Sequence, residues 1–256
     1  MALAPAEIAA LAARWPHLTR SFEVYYGDQA RDDAMDALYA RLVPKGGLAF
    51  DIGSHVGDRI GSFRRIGARV VALEPQPDCA AAIKTIYAGD AMVKLVEAAC
   101  GPKPGALTLH INSTNPTVTT ASPDFVKAAD GAAGWEGQVW DRSIDVAVTT
   151  LDALIAAHGM PDFVKIDVEG FEADVLAGLN RPIPALSFEF TTIQRDVACK
   201  CLAMIVALGN YRFNVALGES QQLAFEAPVS AGDMAAHLLS LPHEANSGDV
   251  YAFLRA

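Results

Sequence analysis

The stretch Leu48-Ala49-Phe50-Asp51-Ile52-Gly53-Ser54-His55-Val56-Gly57 constrains the fold more than any other part of the chain. A short apolar run ends at an acid, crosses two glycines and passes into the helical pattern Asp58-Arg59-Ile60-Gly61-Ser62-Phe63. A strand, a tight turn and a helix in that order form a ligand-binding corner of a parallel α/β sheet. Gly53 stands where a chain leaving a parallel strand bends sharply. Gly57 stands where a helix start can approach a ligand with no side chain between.

The ligand is narrowed by the places where this loop fails the dinucleotide pattern. A Gly-x-Gly-x-x-Gly turn begun at Gly53 needs glycines at the positions held by His55 and Asp58. Asp58 would place negative charge beside phosphate oxygens at a helix N-terminus, where amide donors and positive potential are required. A nucleoside without phosphate avoids that conflict. S-adenosylmethionine has an ammonium for Asp51, a carboxylate for the helix end and a sulfonium that tolerates nearby carboxylates.

A second acid follows at the expected distance. Gly67-Ala68-Arg69-Val70-Val71-Ala72-Leu73-Glu74 reads as a helix-ending glycine and a buried strand that terminates in an acid 21 residues after Gly53. An acid so placed accepts hydrogen bonds from ribose hydroxyls. Pro75-Gln76-Pro77 then turns the chain, and the proline rings can cover one face of an adenine.

With 256 residues, 52 % hydrophobic and 20 % charged, the chain can bury one large α/β core, and no composition break demands a second domain. The expected division is an N-terminal helical extension, 1–46, and a cofactor-binding domain, 47–256. Twenty basic against 30 acidic side chains give a net charge of −10. That surface repels phosphate backbones, so small molecules or glycans are the expected partners, with no nucleic acid and no membrane. The four cysteines contain no Cys-x-x-Cys pair, as expected of free thiols in a reducing cytoplasm. Met1 to Leu18 lacks a basic leader and carries Glu7, which argues against a secretory signal, and no apolar run reaches transmembrane length.

The N-terminal part predicts a short amphipathic helix and a second helix over Asp32 to Val43. Between them the aromatics of Phe22 to Asp28 either wedge a helix against the sheet or border a pocket mouth. After Pro77 come a helix through Ile83 and Tyr87, a third strand over Val93 to Ala99 and a hairpin strand over Gly105 to Asn112. From Asn112 to Trp140 periodicity disappears; a long irregular segment at this place is a substrate lid or a disordered insert, and Trp135 and Trp140 favour the lid, set at 112–145.

Val146 to Thr150 predicts a strand, with a partial capping box from Thr149 to Asp152. The fourth core strand, Phe163-Val164-Lys165-Ile166-Asp167, continues into Val168-Glu169-Gly170-Phe171-Glu172. Glu172 suits the first turn of a helix. If the fourth strand lies beside the first, Asp167 emerges next to Gly53, facing the sulfonium or the acceptor. Ala185 to Phe190 reads as the fifth core strand, with Glu189 projecting toward the same edge. A helix through Cys201, a strand over Tyr211 to Leu217, an edge hairpin and short helix within Glu219 to Pro242, and a last strand over Gly248 to Leu254 complete the chain.

Phe50 to Gly57, Val71 to Pro75, Thr150-Leu151-Asp152 and above all Val164-Lys165-Ile166-Asp167-Val168-Glu169-Gly170-Phe171-Glu172 resemble the FkbM-type S-adenosylmethionine-dependent methyltransferases over roughly residues 47 to 192. The resemblance implies a class I methyltransferase fold, Rossmann-like, with a mostly parallel sheet, an antiparallel last strand and helices on both faces. It also implies methyl transfer, usually to a hydroxyl oxygen of sugars, polyketides and other secondary metabolites. Carried over by position, Asp51, Gly53, His55 and Gly57 hold the methionine part, Glu74 the ribose and the corner at Ala99 the adenine, with Ser54 and Pro75 also among the cofactor-binding residues and Asp167 at the reactive edge. His55 stands where the family often has asparagine, which would make methionine contacts depend on imidazole protonation. Ile60 stands where a threonine is common.

Asp167 is the first candidate to orient or deprotonate the hydroxyl, with Glu169 and Glu189 behind it. The same acids could hold a divalent metal, but no aspartate-asparagine pair follows the fourth strand, so no metal ligand is assigned. The rival class is a domain that binds the cofactor and transfers nothing. A nicotinamide-dependent oxidoreductase is disfavoured by His55 and Asp58.

Overall fold

The computed structural model describes residues 3–255. Three helices come first: α1 (Pro5–Arg14), α2 (Thr19–Tyr26) and α3 (Gln29–Tyr39). The third starts before the expected Asp32 because the Asp28 carboxylate caps it, accepting from the amides of Ala30 and Arg31 at 2.9 and 3.2 Å. The organising unit then reads β1 (Leu48–Ile52), α4 (Asp58–Arg65), β2 (Arg69–Leu73), α5 (Pro77–Ile86) and β3 (Val93–Val96).

The expected strand over Val93 to Ala99 is divided. β3 stops at Val96, and β4 (Ala99–Cys100) leaves the main sheet to pair with β6 (Arg142–Thr149), which also pairs with β5 (Gly105–Ile111). Residues 142–145, assigned to the insert from sequence, are part of β6; the connection from 112 to 141 carries α6 (Pro123–Ala129) and a 3-10 turn at Pro116–Val118. This connection has its own small core, in which Phe125 meets Trp135 edge-on with ring centroids 5.2 Å apart. The Trp140 indole N–H donates to the Val118 carbonyl at 2.9 Å.

The chain continues as α7 (Leu151–His158), β7 (Phe163–Ile166), α8 (Glu172–Leu176), β8 (Ala185–Thr191), α9 (Arg195–Leu208), β9 (Tyr211–Leu217), α10 (Ala231–Ser240) and β10 (Ser247–Leu254). The α7 cap is Thr150, whose hydroxyl accepts from the Ala153 amide at 3.1 Å, one residue later than the capping box expected at Thr149. The expected hairpin after Glu219 reduces to one isolated bridge, Phe213 with Val229.

The main sheet runs β3-β2-β1-β7-β8-β10-β9, parallel from β3 through β8, with β10 antiparallel to both neighbours. This is the class I methyltransferase arrangement, with the chain reversing direction across the sheet between β1 and β7. Period-two alternation gives each face its own core. Phe50, Ile52, Val164, Ile166, Leu186 and Phe188 pack against α7 to α10, while Ala49, Ala72, Phe163 and Tyr251 pack against α1 to α5.

On that second face the register sets a polar row across the sheet. Asp51 lies beside Lys165, Lys165 beside Ser187, and Ser187 beside Tyr251. Two residues further along, at the carboxyl ends of the parallel strands and the amino end of antiparallel β10, the same face receives Gly53, Asp167, Glu189 and Asp249. All the candidate acids of the later strands thus gather at the edge where a ligand of this fold binds.

Candidate active site

A cleft with two lobes opens at that edge. The first, about 570 Å³ counting its mouth, is bounded by Glu74, Pro75, Ala99, Leu109, Thr119 and Phe171; the second, about 440 Å³, is bounded by Tyr25, Asp51, Ser54, Asp58, Arg59 and Glu219. Gly53, His55, Thr117, Asp167 and Glu169 line both, so the lobes are continuous.

Gly53 is required by the chain beside it. Its φ is +86°, and a β-carbon there would lie 1.8 Å from the Asp167 carbonyl oxygen. The Asp167 amide donates to the Ile52 carbonyl at 2.9 Å, which locks the ends of β1 and β7 together. The loop amides are engaged internally: Gly53 and Ser54 donate to Leu73, His55 to Glu74 and Gly57 to Ser54. Neither a pyrophosphate nor a carboxylate would find any of these four donors free, so the helix-end contact expected for the methionine carboxylate does not come from them.

Gly57 departs from its expected role. Its φ of +90° makes the αL entry to α4, but a β-carbon there would meet Tyr87, Ile83 and Ile60 at 3.0 to 3.3 Å, and the residue lines neither lobe. It lets α4 pack closely against α5 and does not let a ligand approach. Ile60 is fully buried in the same core and lines neither lobe.

Asp51 is 1 % exposed, and neither carboxylate oxygen has a hydrogen-bond partner. Burial pushes its pKa up to about 7, against the opposing influence of the Ser54 hydroxyl, Arg59 and Lys165. Glu74 is also buried, but each of its oxygens accepts one backbone amide, from Gln76 and from His55, at 2.8 Å. Burial outweighs both bonds and pushes Glu74 up to about 8. A carboxylate oxygen has two acceptor directions, so capacity for hydroxyl donors remains.

The His55 ring is sandwiched in protein: Nε2 lies 2.7 Å from the Ser21 hydroxyl, Nδ1 3.7 Å from Cys79 Sγ, and Tyr25 meets the ring edge-on. Burial pushes it down to about 4, so the imidazole is neutral at ordinary pH. Those surroundings favour the neutral ring for any contact that His55 makes with a ligand. Phe22 is in the core and Tyr26 donates to the Val56 carbonyl at 2.8 Å, while Tyr25 borders the second lobe; the aromatic segment both wedges α2 and walls the cleft. Pro75 lines the first lobe, whereas Pro77 opens α5 and faces a different groove.

Asp167 and Glu169 stand where the lobes meet, and Glu189 lies behind them, outside both lobes. Carboxylate oxygens of the three lie within 4.8 Å of one another. Lys165, 1 % exposed, reaches this cluster: Nζ is 2.9 Å from Asp167 Oδ2 and 2.7 Å from Asp249 Oδ1. Burial raises the Asp167 pKa, but the Lys165 charge and hydrogen bond outweigh it and hold Asp167 below the usual carboxylate range. Glu169 and Glu189 are pushed up by burial and by Asp167. Glu172 is structural as expected: its Oε1 accepts the amides of Val168 and Gly170 at 3.1 and 3.2 Å.

Sequence reasoning gave the segment Glu219 to Pro242 as a possible border of the acceptor pocket but singled out none of the residues that build the second lobe's outer wall. Arg59 is buried and pairs with Glu219 at 3.0 Å, while Arg31 reaches Asp58 at 2.7 Å and Glu219 at 2.9 Å. Glu219 comes from the segment after β9, where no sequence pattern announces chemistry; alternating strand residues followed by a lone acid were the only signal.

The methyltransferase FkbM domain family model matches residues 51–241. Comparison with curated proteins finds no match. Among solved structures, a TehB-like SAM-dependent methyltransferase from Corynebacterium glutamicum is 13 % identical, covering 98 % of this chain and 100 % of that one, with a TM-score of 0.48. A precorrin-6y C5,15-methyltransferase from Geobacter metallireducens is 14 % identical over 87 % of this chain and 88 % of that one (TM-score 0.45). An rRNA methylase from Streptococcus thermophilus is 8 % identical over 86 % and 94 % (TM-score 0.41).

Proposed function

The chain belongs to the FkbM methyltransferase family, and from that premise we propose that it transfers a methyl group from S-adenosylmethionine to a hydroxyl oxygen of a small-molecule or glycan acceptor. The observation that carries the reading is the pair of buried acids at the ends of adjacent strands: Asp51, with both oxygens unpartnered, opens on one lobe, and Glu74 opens on the other. An orphaned buried carboxylate fits an ammonium group, and an acid on the neighbouring strand end fits ribose hydroxyls. Ala98, Ala99 and Cys100 present a small apolar wall suited to an adenine.

When bound, S-adenosylmethionine supplies a methyl carbon whose bond to sulfur breaks, its electron pair going to sulfur, as the acceptor oxygen bonds to that carbon. The chain's part is to position and to handle the proton. Gly53 leaves room at the junction of the lobes, and Asp167, ionised beside Lys165, accepts the hydrogen bond of the acceptor hydroxyl and then its proton. Glu169 lines the same junction and is the alternative proton acceptor. Thr117, Thr119 and Ala121 of the 112–141 connection roof the cleft, a placement that suits exclusion of water.

Calorimetric titration with S-adenosylhomocysteine, with NAD as control, tests the cofactor half. Binding of the former alone, weakened by Glu74→Ala, is expected. Methyl transfer to a panel of sugars and hydroxylated metabolites tests the rest. Tight binding without transfer to any hydroxyl would support the non-catalytic reading instead.

A further inference from the structure

We propose that Asp167, Glu169 and Glu189 form a binding site for a hard divalent cation at the acceptor edge of the cleft. Oxygen atoms of the three carboxylates lie within 4.8 Å of one another, and the ligands of one such cation, at roughly 2.1–2.5 Å from it, stand up to about 4–5 Å apart. All three donors are carboxylate oxygens with no imidazole or thiolate among them, a set that suits magnesium, manganese or calcium over zinc.

An acidic cluster alone would not make a site; the state of Glu169 does. Glu169 as a residue is 8 % exposed, it lines both lobes, and among the described residues no hydrogen bond or ion pair engages its carboxylate. A buried carboxylate without a partner is unfavourable unless something meets it. Its backbone is fixed, with the Thr120 hydroxyl donating to the Glu169 carbonyl at 2.6 Å. Glu189 Oε2 is likewise buried without a partner. The nearest cation, Lys165, is already shared by Asp167 and Asp249, so one ammonium faces four carboxyl groups. Asp167 remains 30 % exposed on its side chain, which leaves the cluster a path to solvent.

The inference deepens the methyl-transfer reading and depends on it for its purpose: a cation here would select acceptors with adjacent oxygen donors, a hydroxyl beside a second hydroxyl or a carbonyl, and would favour loss of the hydroxyl proton. The test uses the full chain, treated with a chelator and dialysed. Free Mn²⁺ is followed by electron paramagnetic resonance during titration, then Mg²⁺ and Ca²⁺ are used as competitors. One Mn²⁺ per chain is expected, weakened about tenfold or more in Glu169→Gln and in Glu189→Gln, each checked for folding by circular dichroism. The two variants are independent, so either one that folds decides the assignment. No binding to the folded wild-type chain, or binding unchanged in a folded variant, would overturn the site. S-adenosylhomocysteine titration of the wild-type chain runs alongside: its failure strikes the cofactor reading, while failure of Mn²⁺ alone strikes only the cation site.

Discussion

The Lys165 ammonium, 1 % exposed, stands 2.9 Å from an oxygen of Asp167 two residues further along the same face of the sheet. Register also brings Asp249 of β10 to 2.7 Å from that ammonium. A strand that would otherwise be wholly apolar thus carries a charge into the core in order to hold an acid at the cleft. Replacing Lys165 by Met keeps the volume and leaves the buried Asp249 carboxylate and the partly exposed Asp167 carboxylate uncompensated. Loss of one partner of a buried pair costs about 3–5 kcal/mol, so urea denaturation of Lys165→Met is expected to show a drop of that order. The double variant with Asp249→Asn should regain part of it; strictly additive losses would mean that the two groups do not interact.

Gly53 and Gly46 have similar φ angles, +86° and +82°, but different surroundings. Around Gly46 a β-carbon would meet nothing within 4 Å, whereas at Gly53 it would meet the Asp167 carbonyl at 1.8 Å. Gly46→Ala therefore carries only the left-handed backbone penalty, about 1–2 kcal/mol. Gly53→Ala must also push β1 and β7 apart at the cleft. Thermal melts are expected to rank Gly53→Ala well below Gly46→Ala, with cofactor binding lost only in the former. Equal melting temperatures would show that the strand ends are less tightly locked than the structure has them.

Much of this was legible in the sequence because it rests on local pattern. The turn from Asp51 to Gly57 and the acids Glu74 and Asp167 sit at strand ends that apolar runs announce, and β-strand period fixes which face they share. The pairing of β1 with β7 made the meeting of Gly53 and Asp167 a consequence of topology. Three things were not legible. The break after Val96 depends on β4 finding β6 about fifty residues away. The neighbours of Gly57 are Ile83 of α5, Tyr87 just beyond it and Ile60 of α4, invisible to a motif that expects a ligand there. Glu219 matters only because α3 and α4 bring Arg31 and Arg59 to it, a long-range meeting with no local signature.

That meeting has its own consequence. Burial acts to raise the Glu219 pKa, but Arg59 and Arg31 outweigh it and hold the group down at about 2. The carboxylate thus pins the segment after β9 to the wall of the second lobe. Glu219→Ala is expected to leave the two guanidiniums with Asp58 as their one carboxylate partner and to speed amide hydrogen exchange over residues 219–229, with little change in β1 or β7. Because the Glu219 side chain is 45 % exposed, a modest stability loss is expected. Unchanged exchange in that segment would show that its hydrogen bonds to β9, through Phe213, Asn214 and Val215, hold it without Glu219.

Asp51 and Glu74 make cofactor binding depend on pH with a sign that can be worked out. Burial raises their folded-state values to about 7 and about 8, from 3.8 and 4.5. Between the unfolded and folded values the native chain keeps protons that the unfolded chain has lost. Their contribution to stability is therefore fully present below about pH 4 and is lost as pH rises through 7 to 8. A ligand ammonium facing Asp51 and hydroxyls donating to Glu74 favour the ionised forms, so binding must release protons on the acid side of that window. Calorimetry with S-adenosylhomocysteine is expected to show affinity rising from about pH 6 to about pH 8. Asp51→Asn should flatten the part of the rise near pH 7 and weaken binding throughout. Affinity that falls over the same range would mean that the two acids meet the ligand protonated, and the assignment of Asp51 to its ammonium would be lost.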